Sequence, residues 1–132
     1  MRRFDAKLLI VYNADSGFAI AVLHTFHKTL RRATYPCSLC ALTHGLLTMH
    51  RKWRSFLTAL PLEIVFHHRD DFAEAYPGNG AVLPAILLQE GDGAPKIMIS
   101  AEELDQTSDL DALIAMVESR LVDRVGARVM HA

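Results

Sequence analysis

Charge of one sign is what this sequence has least of. Fourteen lysines and arginines stand against fifteen aspartates and glutamates, a formal net charge of −1. No field exists to hold a polyanion or an acidic lipid surface, so neither nucleic acid nor a membrane is expected as a partner. Long apolar runs are missing too. The run Leu8-Leu9-Ile10-Val11-Tyr12 falls far short of the ~20 residues of a membrane-spanning helix. It is also too short for the apolar core of a secretory leader, although Met1-Arg2-Arg3 before it is basic. The expected compartment is the cytoplasm, where thiols stay reduced. There are only two cysteines, Cys37 and Cys40, and in that compartment they suggest a reactive or metal-binding pair sooner than a permanent staple. The chain shows no repeat, linker or low-complexity tract. It also has no G-x-x-x-x-G-K-[ST] phosphate loop, and Gly17 alone cannot supply the string of backbone donors that cradles phosphates, so nucleotide hydrolysis is not expected. What is present is apolar material: 51% of the 132 residues, enough for the core of one domain spanning 1–132.

Hydrophobic spacing lays out an α/β order. Lys7 to Tyr12 is a continuous β-branched and apolar run, predicting a strand buried on both faces. From Ser16, a suitable N-cap, Phe18, Val22, Phe26 and Leu30 recur at helical spacing, predicting a helix to about Arg32. The segment around Cys37-Ser38-Leu39-Cys40 begins just after Pro36, a residue suited to a first helical turn. Leu46, Met49, Trp53, Phe56, Leu57 and Leu60 trace the face of a second helix, stopped by Pro61. A strand is expected over Leu62 to His67, a short helix over Asp70 to Tyr76, and a hairpin from Val82–Leu88 and Lys96–Ser100 about the turn Glu90-Gly91-Asp92-Gly93. Ser100 with Glu103, and Ser108 with Asp111, offer capping signals before a closing helix whose buried face is Leu110, Leu113, Ile114, Val117 and Leu121.

This order, with Leu83-Pro84-Ala85-Ile86-Leu87-Leu88 leading into the hairpin, resembles the thioredoxin and glutaredoxin superfamily. The resemblance implies a thioredoxin-like sheet with flanking helices, a cis bond at Leu83-Pro84, and substrate contact at Pro84 and at Tyr35 beside the cysteine pair. One departure is plain. The superfamily carries its reactive pair directly after the first strand, and here that place reads Asn13-Ala14-Asp15-Ser16, without cysteine. The pair lies instead in an apparent helical insertion at about 33–60. The stretches Val11 to Gly17, His27-Lys28 and Thr34-Tyr35-Pro36-Cys37-Ser38-Leu39-Cys40 also look like a small uncharacterised bacterial family sometimes labelled GTPase, a label the missing phosphate loop argues against.

Three readings of the pair stand side by side. In the redox reading Cys37 attacks and Cys40 resolves, with a protein or a small thiol or disulfide as partner and no cofactor; backbone N–H groups, His44 or the cations Arg31 and Arg32 could favour the thiolate. In the metal reading a helical Cys37, Cys40 and His44 fall within about 60° around one axis. They could then bind zinc or copper, with His27 (or His50) as a fourth ligand. In the third the cysteines are small buried apolar residues of a thiol-inert partner-binding domain. The chain is expected to be a thioredoxin-like thiol–disulfide or redox-sensing protein, with the other two readings as alternatives.

Other polar candidates have plainer explanations. His24 points roughly opposite the Phe18/Val22/Phe26 stripe while His27 sits at its border, and His67 and His68 face opposite sides of a strand, so neither pair is expected to share a ligand. Asp15-Ser16 and Asp70-Asp71 suit helix N-termini. Met49 and Trp53 belong to a core stripe, and Arg51, Lys52 and Arg54 to a solvated face.

Overall fold

The computed structural model describes residues 6–13, 38–43 and 49–125. The first predicted strand forms β1 (Ala6–Val11), in which Leu8, Leu9, Ile10 and Val11 are completely buried. Such a strand needs neighbours on both edges and cover on both faces, and it has them. β2 (Glu63–His67) pairs with it in parallel, from Lys7↔Glu63 to Val11↔His67. β3 (Ala85–Glu90) pairs antiparallel, from Ala6↔Glu90 to Val11↔Ala85. β4 (Lys96–Ile99) completes the hairpin, giving the order β2-β1-β3-β4. Gly91, with φ +56°, supplies the left-handed conformation that starts the hairpin turn. The Leu83–Pro84 bond is cis, the isomer the resemblance implied.

The remaining described elements are helices: α1 (Ser38–Thr43), α2 (Arg51–Ala59), α3 (Arg69–Ala75), α4 (Ala101–Asp105) and α5 (Leu110–Val125). Leu8, Ile10 and Tyr12 share one cluster with Leu39 and Leu42 of α1, Trp53 and Leu57 of α2, Leu104 of α4, and Leu113, Val117 and Leu121 of α5. Leu9, Val11, Ala85 and Leu87 form a second cluster with Phe72 of α3. Alternation along β1 thus sends even and odd residues to opposite helix layers. The described chain is a mixed α/β structure with a four-stranded mixed sheet and flanking helices. The expected helix at 16–32 lies outside the described residues.

Two local features differ from the sequence reading. The closing region is two helices, because Thr107 closes α4 by donating from its N–H to Leu104 O (3.2 Å) and from Oγ1 to Glu103 O (2.7 Å). α5 is then capped by Asp109, whose Oδ1 accepts from Ala112 N at 2.8 Å, in the role that the sequence suggested for Ser108. The β3–β4 register also slips: Ile86 faces Ile99 but Leu87 faces Ile97, which leaves Met98 as the extra residue of a bulge. Its carbonyl accepts from Arg120 Nη1 at 2.8 Å, so a side chain supplies the bond the ladder does not.

Arg120 also grips Glu103 in a forked pair, Nη1 to Oε1 at 3.1 Å and Nη2 to Oε2, tying α5 to α4. The Arg120 hydrogen bond, then the Ser100 backbone N–H, lower the Glu103 pKa to about 2. A carboxyl depressed on folding contributes stability above its unfolded pKa and loses it as pH falls through the folded value. Acid titration from pH 5 to 2 should therefore erode about 1 kcal/mol through this pair, a figure kept small because both side chains are about a third exposed. Arg120→Met should flatten that part of the stability–pH curve, read by urea unfolding at each pH; an unchanged slope would refute the assignment.

Candidate functional site

The register places the ends of three strands in one row, with Val11 between His67 and Ala85. Just beyond it lie Tyr12, His68 and the cis Leu83–Pro84 bond. This is the carboxyl end of the parallel pair, where open α/β sheets place their ligand sites. Pro84 is buried at the start of β3.

Tyr12 organises this edge. Its N–H donates to His67 O at 2.9 Å; its ring stacks on Phe66 (6.3 Å, 6°) and leans on His68 (5.8 Å, 44°). Burial pushes the phenol up to about 12, against an opposing hydrogen-bonding contact with Thr43. Tyr12 therefore stays protonated near neutral pH. Thr43, itself fully buried, donates from Oγ1 to Leu39 O at 2.8 Å. Tyr12 shares its core cluster with Leu39 and Leu42 of α1.

α1 (Ser38–Thr43) contains Cys40. It packs against α4 and α5. Cys37, Tyr35, His44 and His27 lie outside the described residues. Among the described residues, no group of three or more histidine, cysteine, aspartate or glutamate side chains stands close enough to hold a metal ion.

His67 and His68 do point apart, His67 toward Phe72 and Tyr76 and His68 toward Tyr12, yet both turn on one carboxylate. Asp71 Oδ1 lies 2.7 Å from His67 Nδ1 and accepts from His68 N at 3.0 Å. Asp71 thus secures the first turn of α3, and the neighbouring carboxylate Asp70 shares that turn, as the helix N-terminus reading of the sequence implied. Arg51, Lys52 and Arg54 are exposed on α2, and Lys52 pairs with Asp111 of α5. A groove of about 480 Å³ runs between α2 and the edge strand β2, lined by Met49, Leu57, Ile64 and Phe66 with Arg54 and Glu63 as its charged members.

Tyr12 and Thr43 had no signal of their own in the sequence. Tyr12 reads there as the end of an apolar run, and Thr43 as one residue of the cysteine segment. Among known proteins, no family model, curated protein or solved structure matches the chain. Among the described residues, no helix is long and apolar enough to cross a membrane.

Proposed function

We propose that the chain is a small cytoplasmic thioredoxin-like protein whose Cys37 and Cys40 form a working dithiol for thiol–disulfide exchange or redox sensing. The order of elements supports the fold reading: a parallel β1–β2 pair, a short helix, a hairpin entered through Leu83–Pro84, and closing helices. One observation carries the functional reading. The helix that contains Cys40 packs its Leu39 and Leu42 into the same core cluster as Tyr12, the residue immediately after β1, and the superfamily carries its own reactive pair at that point of the chain. That packing supports reading the displaced Cys37–Cys40 segment as a neighbour of the sheet edge where the resemblance needs it.

In this reading the Cys37 thiolate attacks one sulfur of a partner disulfide, forming a mixed disulfide and expelling the partner's other sulfur as a thiolate. Cys40, deprotonated, then attacks the Cys37 sulfur and releases the second partner thiolate. Two electrons pass from the dithiol to the partner, and Cys37 and Cys40 end as a disulfide. Tyr35 and Pro84 would flank the bound partner.

The test is a single preparation of untagged protein, purified without chelator, in which metal content and free thiols are measured before and after mild oxidation and reduction. The expected result is metal-free protein with two thiols that convert reversibly to one disulfide. Near-stoichiometric zinc or copper, with thiols masked until chelator is added, would overturn it in favour of a site built from Cys37, Cys40 and His44 with His27. Metal-free protein with unreactive thiols would leave a thiol-inert partner-binding domain.

A further inference from the structure

An open sheet ends in two edge strands, each of which presents backbone donors and acceptors to any chain that reaches them. The two edges of this sheet differ. β4 is closed: its register breaks at Met98, Arg120 Nη1 donates to Met98 O at 2.8 Å, and Arg124 Nη2 donates to Ile97 O at 3.1 Å. Bulges and cations are the common means of blunting an edge. β2 has neither. It runs in unbroken register along β1 from Glu63 to His67 and contains no proline, lysine or arginine.

That register fixes which backbone groups of β2 are engaged. His67 O accepts from Tyr12 N, so His67, and with it Val65 and Glu63, turn N–H and C=O toward β1. Ile64 and Phe66 turn theirs outward, where they meet no hydrogen-bond partner among the described residues. The same alternation sets both side chains on the α2 face. There they line the groove with Met49 and Leu57, and Phe66 is 42% exposed. Outward backbone groups beside an apolar groove are what strand addition uses: the backbone bonds supply affinity, and the groove reads alternate side chains of the added strand.

Charge decides what would be added. α2 carries Arg51, Lys52 and Arg54 and no carboxylate. Lys52 pairs with Asp111, whereas Arg51 and Arg54 have no acidic partner among the described residues, and Arg54 stands at the groove. A second copy joined β2 to β2 about a twofold axis would set both α2 helices on one face of the joined sheet and bring these like charges together, which opposes self-pairing. Glu63, at the first position of β2, is the groove's own carboxylate and repels acid there. We propose that the β2 edge binds an extended segment of another protein, paired to the backbone of Ile64 and Phe66. The segment places an apolar side chain in the groove and, two residues away on the same face, an aspartate or glutamate against Arg54.

The experiment titrates the full, isotope-labelled chain with capped peptides of the pattern Thr-X-Thr-Z-Thr, X being Val, Leu or Phe and Z being Glu or Lys. Amide shifts and hydrogen exchange are followed by NMR, and the free protein is sedimented alongside. At least one glutamate peptide should shift the Ile64 and Phe66 amides saturably at millimolar concentration and slow their exchange, with the amides of β4 unmoved. Its lysine counterpart should bind about fivefold more weakly. Arg54→Glu, a change at an exposed position, should invert that preference. Ile64→Pro removes an outward N–H and no bond of the β1–β2 ladder, and should weaken binding about tenfold. The absence of a saturable shift with any of the peptides, or shifts that spare Ile64 and Phe66, would overturn the proposal. Equal affinity for glutamate and lysine peptides would overturn it as well. A peptide-free chain that sediments as a dimer, with the Ile64 and Phe66 amides already protected, would overturn it in favour of a second copy at this edge.

Discussion

Trp53→Ala is expected to cost about 3–5 kcal/mol of unfolding free energy, the largest single loss in the described chain. The indole is fully buried on α2, stacks on Phe56 at 5.8 Å, and belongs to the cluster that joins the sheet to α1, α4 and α5. Its removal leaves a void that a packed core fills only in part, so both the transfer energy and the lost dispersion contacts count. Against a total stability of about 5–15 kcal/mol for a small domain, such a loss brings the chain near its unfolding threshold. Trp53→Phe should cost less, about 1–2 kcal/mol, because the indole Nε1 makes no hydrogen bond among the described residues and no polar partner is stranded. Arg54→Ala, one position along, should change stability by no more than about 0.5 kcal/mol, because Arg54 is exposed. Denaturant unfolding followed by circular dichroism measures all three, since Trp53 is the sole tryptophan and fluorescence would vanish with it. A Trp53→Ala cost below 1 kcal/mol would contradict the packing described here.

The same contrast between neighbours explains how much of the fold could be read in advance. Trp53 and Leu57 buried, with Arg51, Lys52 and Arg54 exposed, follow from helical periodicity alone. The four described strands are likewise local patterns: an unbroken apolar run in β1, and Gly91 between the arms of the hairpin. What local pattern cannot carry is a contact between distant positions. Arg120 satisfying the Met98 carbonyl spans 22 residues, and nothing near either residue announces it. Asp71 serving His67 and His68 together became visible only when strand and helix were joined, although spacing did separate the two rings. Thr107 turned one expected helix into two through a side-chain bond to Glu103, a choice that periodicity does not register. The candidate site divides in the same way. The C-x-x-C spacing stands out in the sequence, whereas the packing of Leu39 and Leu42 beside Tyr12 is a tertiary contact.

The largest functional effect is expected at the cysteines, and the two should fail differently. In the proposed dithiol, Cys37→Ser should abolish disulfide exchange, because the sulfur proposed to attack is gone and a serine hydroxyl is not ionised at neutral pH. Cys40→Ser should retain the first step and lose the second. With no resolving thiol, the mixed disulfide between Cys37 and its partner has no intramolecular exit, and a covalent adduct should accumulate, seen by mass and released by reductant. The order follows the redox reading of the sequence, in which Cys37, next to Pro36, attacks and Cys40 resolves. An adduct trapped by Cys37→Ser instead would reverse the two roles while keeping the redox chemistry. His44→Ala separates this chemistry from metal binding. A ligand set of Cys37, Cys40, His44 and His27 loses affinity when His44 is removed, since each ligand of a four-coordinate site contributes to holding the ion. A dithiol retains both sulfurs and should continue to exchange. Exchange activity that survives His44→Ala but is lost in Cys37→Ser therefore points to two sulfurs acting as a redox couple.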